Sequence, residues 1–172
     1  MKLPPIKSQR KSGRESFLYN GRKQKAILID FWRWSASDLI SNATRGILAE
    51  FIVAMALNQH KKIRSEWDAY DFTTKEGLKV EVKSAAYVQS WYQNDFSKIS
   101  FSIRPTKAWN IETNKQEEEQ KRQADVYVFA LLKHLEQETI NTLDLNQWTF
   151  FVISTKEEFL LFMIMIFPVP LP

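Results

Sequence analysis

Cysteine is absent from all 172 residues. Disulfides, thiolate metal sites and cysteine nucleophiles are therefore excluded, and the composition suits a reducing cytoplasm. Histidine occurs twice, as His60 and His134, too rarely for a histidine-rich zinc site. Glycine is also scarce: 4 residues against 12 Phe and 6 Trp argue for a well-packed interior with few tight turns. No apolar run reaches the ~18–20 residues that a membrane-spanning helix needs. The N-terminal segment lacks the apolar core of a secretory signal. What remains has one domain's length, is 44% hydrophobic and 26% charged, and reads as a cytoplasmic globular protein.

The net charge of +4 is small but unevenly placed. Residues 1–25 carry eight basic side chains (Lys2, Lys7, Arg10, Lys11, Arg14, Arg22, Lys23, Lys25) against Glu15 alone, which leaves 16 basic and 19 acidic residues in the remainder. A flexible basic arm over 1–25 ahead of a slightly acidic body is expected. Such an arm suits a phosphate backbone, where each neutralised phosphate releases counterions. A merely solvated terminus and an organellar transit peptide are the alternatives.

The stretch "DFWRWSASDLISNATRGILAEFIVAMALNQ" reads as helix broken near Asn42, with Ser35 or Ser37 capping the first piece and Asn42 the second. From Ile47 to Leu57 the second piece is apolar on nearly every face, the mark of a buried helix. Glu50 is its lone charge, and a buried carboxylate needs a cation, a donor or a raised pKa; Arg45 and Arg64 are the candidate partners, and a helix-edge Glu reaching water is the other reading. Segments Trp67–Thr73 and Leu78–Ser84 read as two strands closed by a turn at Thr74–Gly77. "KISFSIRP" supplies a third strand, "ADVYVFALLK" a strand buried on both faces, and "QWTFFVIS" a fifth. Residues 106–123 are polar and read as a loop or irregular helix. The hydrophobic tail 159–172, "FLLFMIMIFPVPLP", is too short to cross a membrane and carries no assigned role.

In Leu78–Ser84 the alternation puts Leu78, Val80 and Val82 on one side and Lys79, Glu81 and Lys83 on the other. Hydrolysis of a phosphodiester at neutral pH asks for a cation to polarise the phosphate, an activated water and stabilisation of developing charge. Mg²⁺ takes one or two carboxylates plus waters and phosphate, and a lysine beside it holds or deprotonates the water. Glu81 and Lys83 emerge side by side, and Asp71 on the partner strand completes a ligand pair across the hairpin. An acid-x-Lys triplet alone means little, since Glu119–Gln120–Lys121 is another, and a solvated strand face is its simplest explanation. The ordered set of helix Glu, hairpin Asp and strand acid-x-Lys, followed by Ser84, Ala85 and Ala86, is more specific.

That order, Glu50, then "YDF", then "VEVKSA", resembles the PD-(D/E)xK nuclease pattern of type II restriction enzymes, archaeal-type Holliday junction resolvases and many repair nucleases. The stretch from "EWDAYDF" to "KRQADVYVF" is also similar to a group of uncharacterised bacterial proteins placed in that superfamily. The resemblance covers roughly residues 45–153. It implies an α/β fold with a restriction endonuclease-like core, in which a central mixed sheet of about five strands is flanked by helices. The core would run helix, three-strand meander, crossover helix and parallel fourth strand, within a single domain over 26–158. It further implies Asp71, Glu81 and Glu50 as metal ligands, Lys83 serving the water, and Mg²⁺ as cofactor with Mn²⁺ substituting. Asp68 is the alternative ligand; three residues away on a strand, it faces the other side unless the strand bends.

Gln89, six residues after Lys83, is a candidate for the phosphate or the water, and Arg104, Lys107, Lys121 and Arg122 for a backbone-binding surface; solvated side chains are the plainer reading of each. Trp91, Tyr92 and Trp109 are either base-stacking or core residues. Asp125 reads as a cap or a supporting partner. The expectation is thus a Mg²⁺-dependent endonuclease or junction-cutting enzyme acting on DNA, with a homodimer as one way to cut two strands. The rivals are a nucleic-acid-binding domain without activity and a folded interaction partner that touches no nucleic acid. No recognition module such as a helix-turn-helix stands out.

Overall fold

A computed structural model describes residues 3–66, 68–110 and 113–156, with the backbone of Phe162–Met163. Of the tail 159–172, everything but that backbone pair lies outside the described residues, as does Trp67.

The central sheet is built on β4 (Lys79–Ala86) and β7 (Val126–Leu132), paired in parallel from Val80↔Val126 to Ala86↔Leu132. β8 (Trp148–Ser154) runs antiparallel to β7, from Val126↔Ser154 to Leu132↔Trp148. The short β3 (Phe72–Thr73) pairs antiparallel with the start of β4. Four strands therefore make the sheet, in the order β3-β4-β7-β8, and two residues, β9 (Phe162–Met163), pair along the outer edge of β8. The turn before β4 is the one expected. Gly77 takes φ +88, a left-handed conformation that other residues adopt at a cost, and Thr74 N–H closes on the Leu78 carbonyl at 2.9 Å.

The helical stretch is two helices, α1 (Leu28–Ala36) and α2 (Asn42–Ala56). Their N-caps are Ile27 and Ser41; Ser35 and Ser37 sit at the C-terminal end of α1 instead, where the Ser37 hydroxyl donates to the Arg33 carbonyl. The α1 start is held by its own Asp30, which accepts from Ile27 N–H, and from outside by the Glu15 and Gly13 carbonyls, which accept from Leu28 and Ile29 N–H. α2 covers one face of the sheet. Ala49, Ile52 and Val53 meet Val80, Val82, Ala86, Val128, Ala130, Leu132, Trp148 and Phe150 in one core. The largely apolar helix is buried mainly on that side: Ile47 and Phe51 are 47% and 49% exposed, the outer face being covered only in part, with the His60 ring edge-on to Phe51 at 6.0 Å. On the other sheet face Ala124, Tyr127 and Phe129 pack with Tyr70, Phe101, Ile103, Phe151 and Ile153. β7 is thus covered on both faces, as its near-continuous apolar sequence requires.

Two segments depart from the sequence reading. "KISFSIRP" forms no strand. Its alternation is real, with Ile99, Phe101 and Ile103 turned partly inward, but the segment lies over the sheet face, Phe101 stacking on Phe129 at 4.6 Å. Period-2 burial is satisfied there by packing rather than by a ladder. Between β4 and β7 the described residues contain no crossover helix. They hold a two-residue ladder of β5 (Trp109–Asn110) with β6 (Lys115–Gln116) and a bridge from Thr106 to Lys121. The stretch 1–25, expected as a flexible arm, contains most of a hairpin, β1 (Ser16–Tyr19) with β2 (Arg22–Ile27). Its two-residue turn, Asn20–Gly21, has positive φ at both positions, the geometry that suits the twist of paired strands.

Candidate active site

β4 positions the acid-x-Lys triplet. Because successive side chains alternate, Val80 and Val82 enter the core beneath α2 while Glu81 and Lys83 emerge together on the opposite face, where they form an ion pair. The β3–β4 register, Phe72↔Val80 and Thr73↔Lys79, places Asp71 opposite Glu81 when continued by one residue. Hydrogen bonds fix it there: Asp71 N–H donates to the Val80 carbonyl at 2.9 Å, and Val82 N–H donates to Asp71 Oδ2 at 2.6 Å.

Asp71 is the most perturbed carboxyl of the group, pushed up to about 6. Burial is the main cause. The charges of Glu50 and Glu81 push in the same direction, while the Val82 N–H and Lys83 oppose them. Glu50, Glu81 and Lys83 therefore each lie within electrostatic reach of Asp71. Glu50, on α2, is held by Arg64, whose Nε and Nη2 reach its two oxygens at 2.5 and 3.0 Å. Of its two candidate partners, Arg64 has it, and the guanidinium's pKa is raised mainly by that bond. Asp68 is exposed. Tyr127 pairs with Glu81 in the β4–β7 register, and its hydroxyl is pushed up by burial first and by the Glu81 charge second. The Asp125 carboxylate accepts from Lys79 N–H at 2.9 Å, which is the capping one of its two readings.

Among the described residues no three carboxylate or imidazole groups converge as a metal-ligand set. The donor set at hand is the pair Asp71 and Glu81, which fits the requirement of Mg²⁺ for one or two carboxylates plus waters and phosphate.

The remaining sequence candidates fall elsewhere. Gln89 is buried and joined to Arg45, Ala86 and Ser97. Arg104 and Lys107 are exposed on the segment that follows β4. Lys121 is engaged by Glu117 at 3.3 Å and Glu119 at 3.8 Å, and Arg122 Nε donates to the Ile103 carbonyl at 3.4 Å. Trp91, Tyr92 and Trp109 are all exposed, Tyr92 at 88%, so the core reading of these three is overturned. In the sequence Arg45 stands out only as a partner for Glu50. Its position four residues before Ala49 and seven before Ile52, on the buried stripe of α2, is the signal that marks it as an interior cation.

No helix of the described residues is long and apolar enough to cross a membrane. A family model described as bacteriophage T4 endonuclease IV matches residues 4–160. No curated protein and no solved structure matches the chain.

Proposed function

The chain belongs to the bacteriophage T4 endonuclease IV family, and on that premise we propose that it hydrolyses phosphodiester bonds in DNA as a metal-dependent nuclease of the PD-(D/E)xK type, endonucleolytic or junction-resolving. Asp71, Glu81 and Lys83 are its catalytic core and Glu50 supports them. The observation that carries this reading is the pairing of Asp71 with Glu81 across β3–β4, with Lys83 on the same face and Glu50 within electrostatic reach.

Asp71 and Glu81 would hold a Mg²⁺ ion, or Mn²⁺ in its place; such an ion, when bound, supplies Lewis-acid stabilisation of the phosphate charge. The chain's own groups do the rest. Lys83 Nζ, kept beside Glu81, is placed to hold the attacking water and to offset negative charge as it develops on the phosphate. The Val82 N–H fixes one oxygen of Asp71, so the carboxylate is oriented in advance. Arg64 neutralises Glu50, which limits the repulsion that three neighbouring carboxylates would impose.

The test is cleavage of supercoiled plasmid, single-stranded DNA and a four-way junction in Mg²⁺, Mn²⁺ or EDTA. Wild type should cut with either metal and not in EDTA, and Lys83→Ala should lose about 10²–10⁴-fold in rate with an unchanged circular dichroism spectrum. Folded wild type that binds DNA but cuts none of the three substrates would transfer the chain to the binding-domain reading.

A further inference from the structure

On the face of β4 turned away from Glu81 and Lys83, a pocket of about 360 Å³ opens between the first turn of α2 and the segment following β4. Arg45 lines it and is 3% exposed. Its guanidinium donates to Ser84 Oγ at 3.2 Å, the Ile40 carbonyl at 2.7 Å, Gln89 Oε1 at 3.0 Å and Asn42 Oδ1 at 2.6 Å. These contacts use four of its five N–H groups. Every one of those acceptors is neutral. Among the described residues no carboxylate pairs with Arg45, in contrast to Arg64 on Glu50. A buried charge without a counter-charge is expensive, and here four hydrogen bonds hold that charge rigidly at the wall of a cavity.

Lys98 is the other charged side chain of the lining, and it is also basic. Ser84, Ser97 and Ser100 add hydroxyl donors. Asn42 opens α2, whose first turn carries no acid and whose N-cap Ser41 makes no side-chain capping bond, so the positive end of the helix adjoins the pocket. No acidic side chain lines the pocket. Ser84 is the residue after Lys83 and three after Glu81, roughly 10 Å along the strand at ~3.3 Å per residue. Beyond the bonds to Asp71, no strand pairs with β4 on that side among the described residues. A nucleic-acid strand crossing this edge would meet the catalytic pair on one side and the pocket on the other.

We propose that the pocket is a phosphate site, in which Arg45 and Lys98 hold a backbone phosphate of the substrate strand away from the bond that is cut. This rests on the nuclease reading, yet part of its test does not. In full-length protein the Arg45 Nε–H resonance should shift saturably as inorganic phosphate is added, whether or not the chain cuts DNA. Arg45→Met should lose phosphate binding. Because that variant removes a buried network, the exposed Lys98→Gln is the decisive one. In EDTA, Lys98→Gln should weaken DNA binding several-fold and lower the salt slope by about 0.7–0.9, equally on strands with and without a 5′-phosphate. Lys133→Gln, exposed just beyond β7, should change neither. No shift of the Arg45 signal, or an unaltered salt slope in Lys98→Gln, overturns the proposal. An effect confined to 5′-phosphorylated strands also overturns it, by making the pocket a receptor for strand ends. Cleavage that fails while phosphate still binds would remove the nuclease reading and leave the anion site standing.

Discussion

Asp71 carries a conflict between fold and chemistry. Its carboxyl sits at about 6 in the folded chain, against ~3.9 for an unperturbed Asp, with burial the first cause and the Glu50 and Glu81 charges following. Between about pH 4 and 6 the folded state therefore holds a proton that the unfolded chain has already released. Stability from this group is complete below pH 4 and is lost as pH rises through 6, by about 2–3 kcal/mol if no cation is present. Asp71→Asn removes that loss and keeps an oxygen for Val82 N–H. In EDTA the variant should thus melt several degrees above wild type at pH 8 and close to it at pH 4, while cutting no DNA. A difference in Tm that does not grow between pH 4 and pH 8 would show that Asp71 ionises without penalty. On the metal-dependent reading a divalent cation would supply the missing counter-charge, so metal should stabilise wild type more than Asp71→Asn.

At the scale of elements, α2 decides how the site holds together, because it brings Glu50 and Arg45 to β4. Its docking stripe is Arg45, Ala49, Ile52 and Val53. Ile52→Ala should cost about 2–5 kcal/mol in urea denaturation, as expected for a cavity in a packed core. Phe51→Ala, on the half-exposed outer face, should cost less than about 1 kcal/mol; equal losses would mean that the helix is buried all round. That contrast also marks where sequence reading stopped. Strand alternation forced Glu81 and Lys83 onto one face, and the apolar run of β7 announced a strand covered twice. The opposition of Asp71 to Glu81 needed the register, which the turn at Gly77 sets. The outer face of α2 was illegible because an apolar sequence does not say whether a second layer exists to cover it. "KISFSIRP" misled for a related reason, since Phe101 and Ile103 use the period of a strand to lie on the sheet. The β1–β2 hairpin escaped because Asn20–Gly21 has the unbroken apolar run Phe17–Tyr19 on one side and the polar run Arg22–Lys25 on the other, so no apolar alternation flagged the turn.

For the whole molecule, the question is where the basic N-terminus stops being fold and starts being surface. Gly13 is the boundary. It is buried at φ +88, a Cβ there would stand 3.0 Å from the Trp32 ring, and its carbonyl accepts from the first turn of α1. Glu15 locks the same turn, its carboxylate accepting from Ser12 and Gly13 N–H and its carbonyl from Leu28 N–H. Before it, residues 3–11 have no regular structure, and Arg10 touches the Lys61 carbonyl at 3.0 Å. Deleting residues 1–11 removes Lys2, Lys7, Arg10 and Lys11 and takes the formal net charge from +4 to zero, without uncapping α1. That truncation should keep the melting temperature and the cleavage rate at saturating DNA. Its DNA affinity should fall, with the salt slope reduced by about 0.9 for each phosphate that the arm no longer neutralises. Deleting residues 1–27 takes away the hairpin and both carbonyls that satisfy α1, and should lower the melting temperature as well. If the shorter deletion leaves the salt slope untouched, the four basic residues are solvated charges, and the pull on DNA must come from the folded body, where Arg45 and Lys98 then become the first cations to remove.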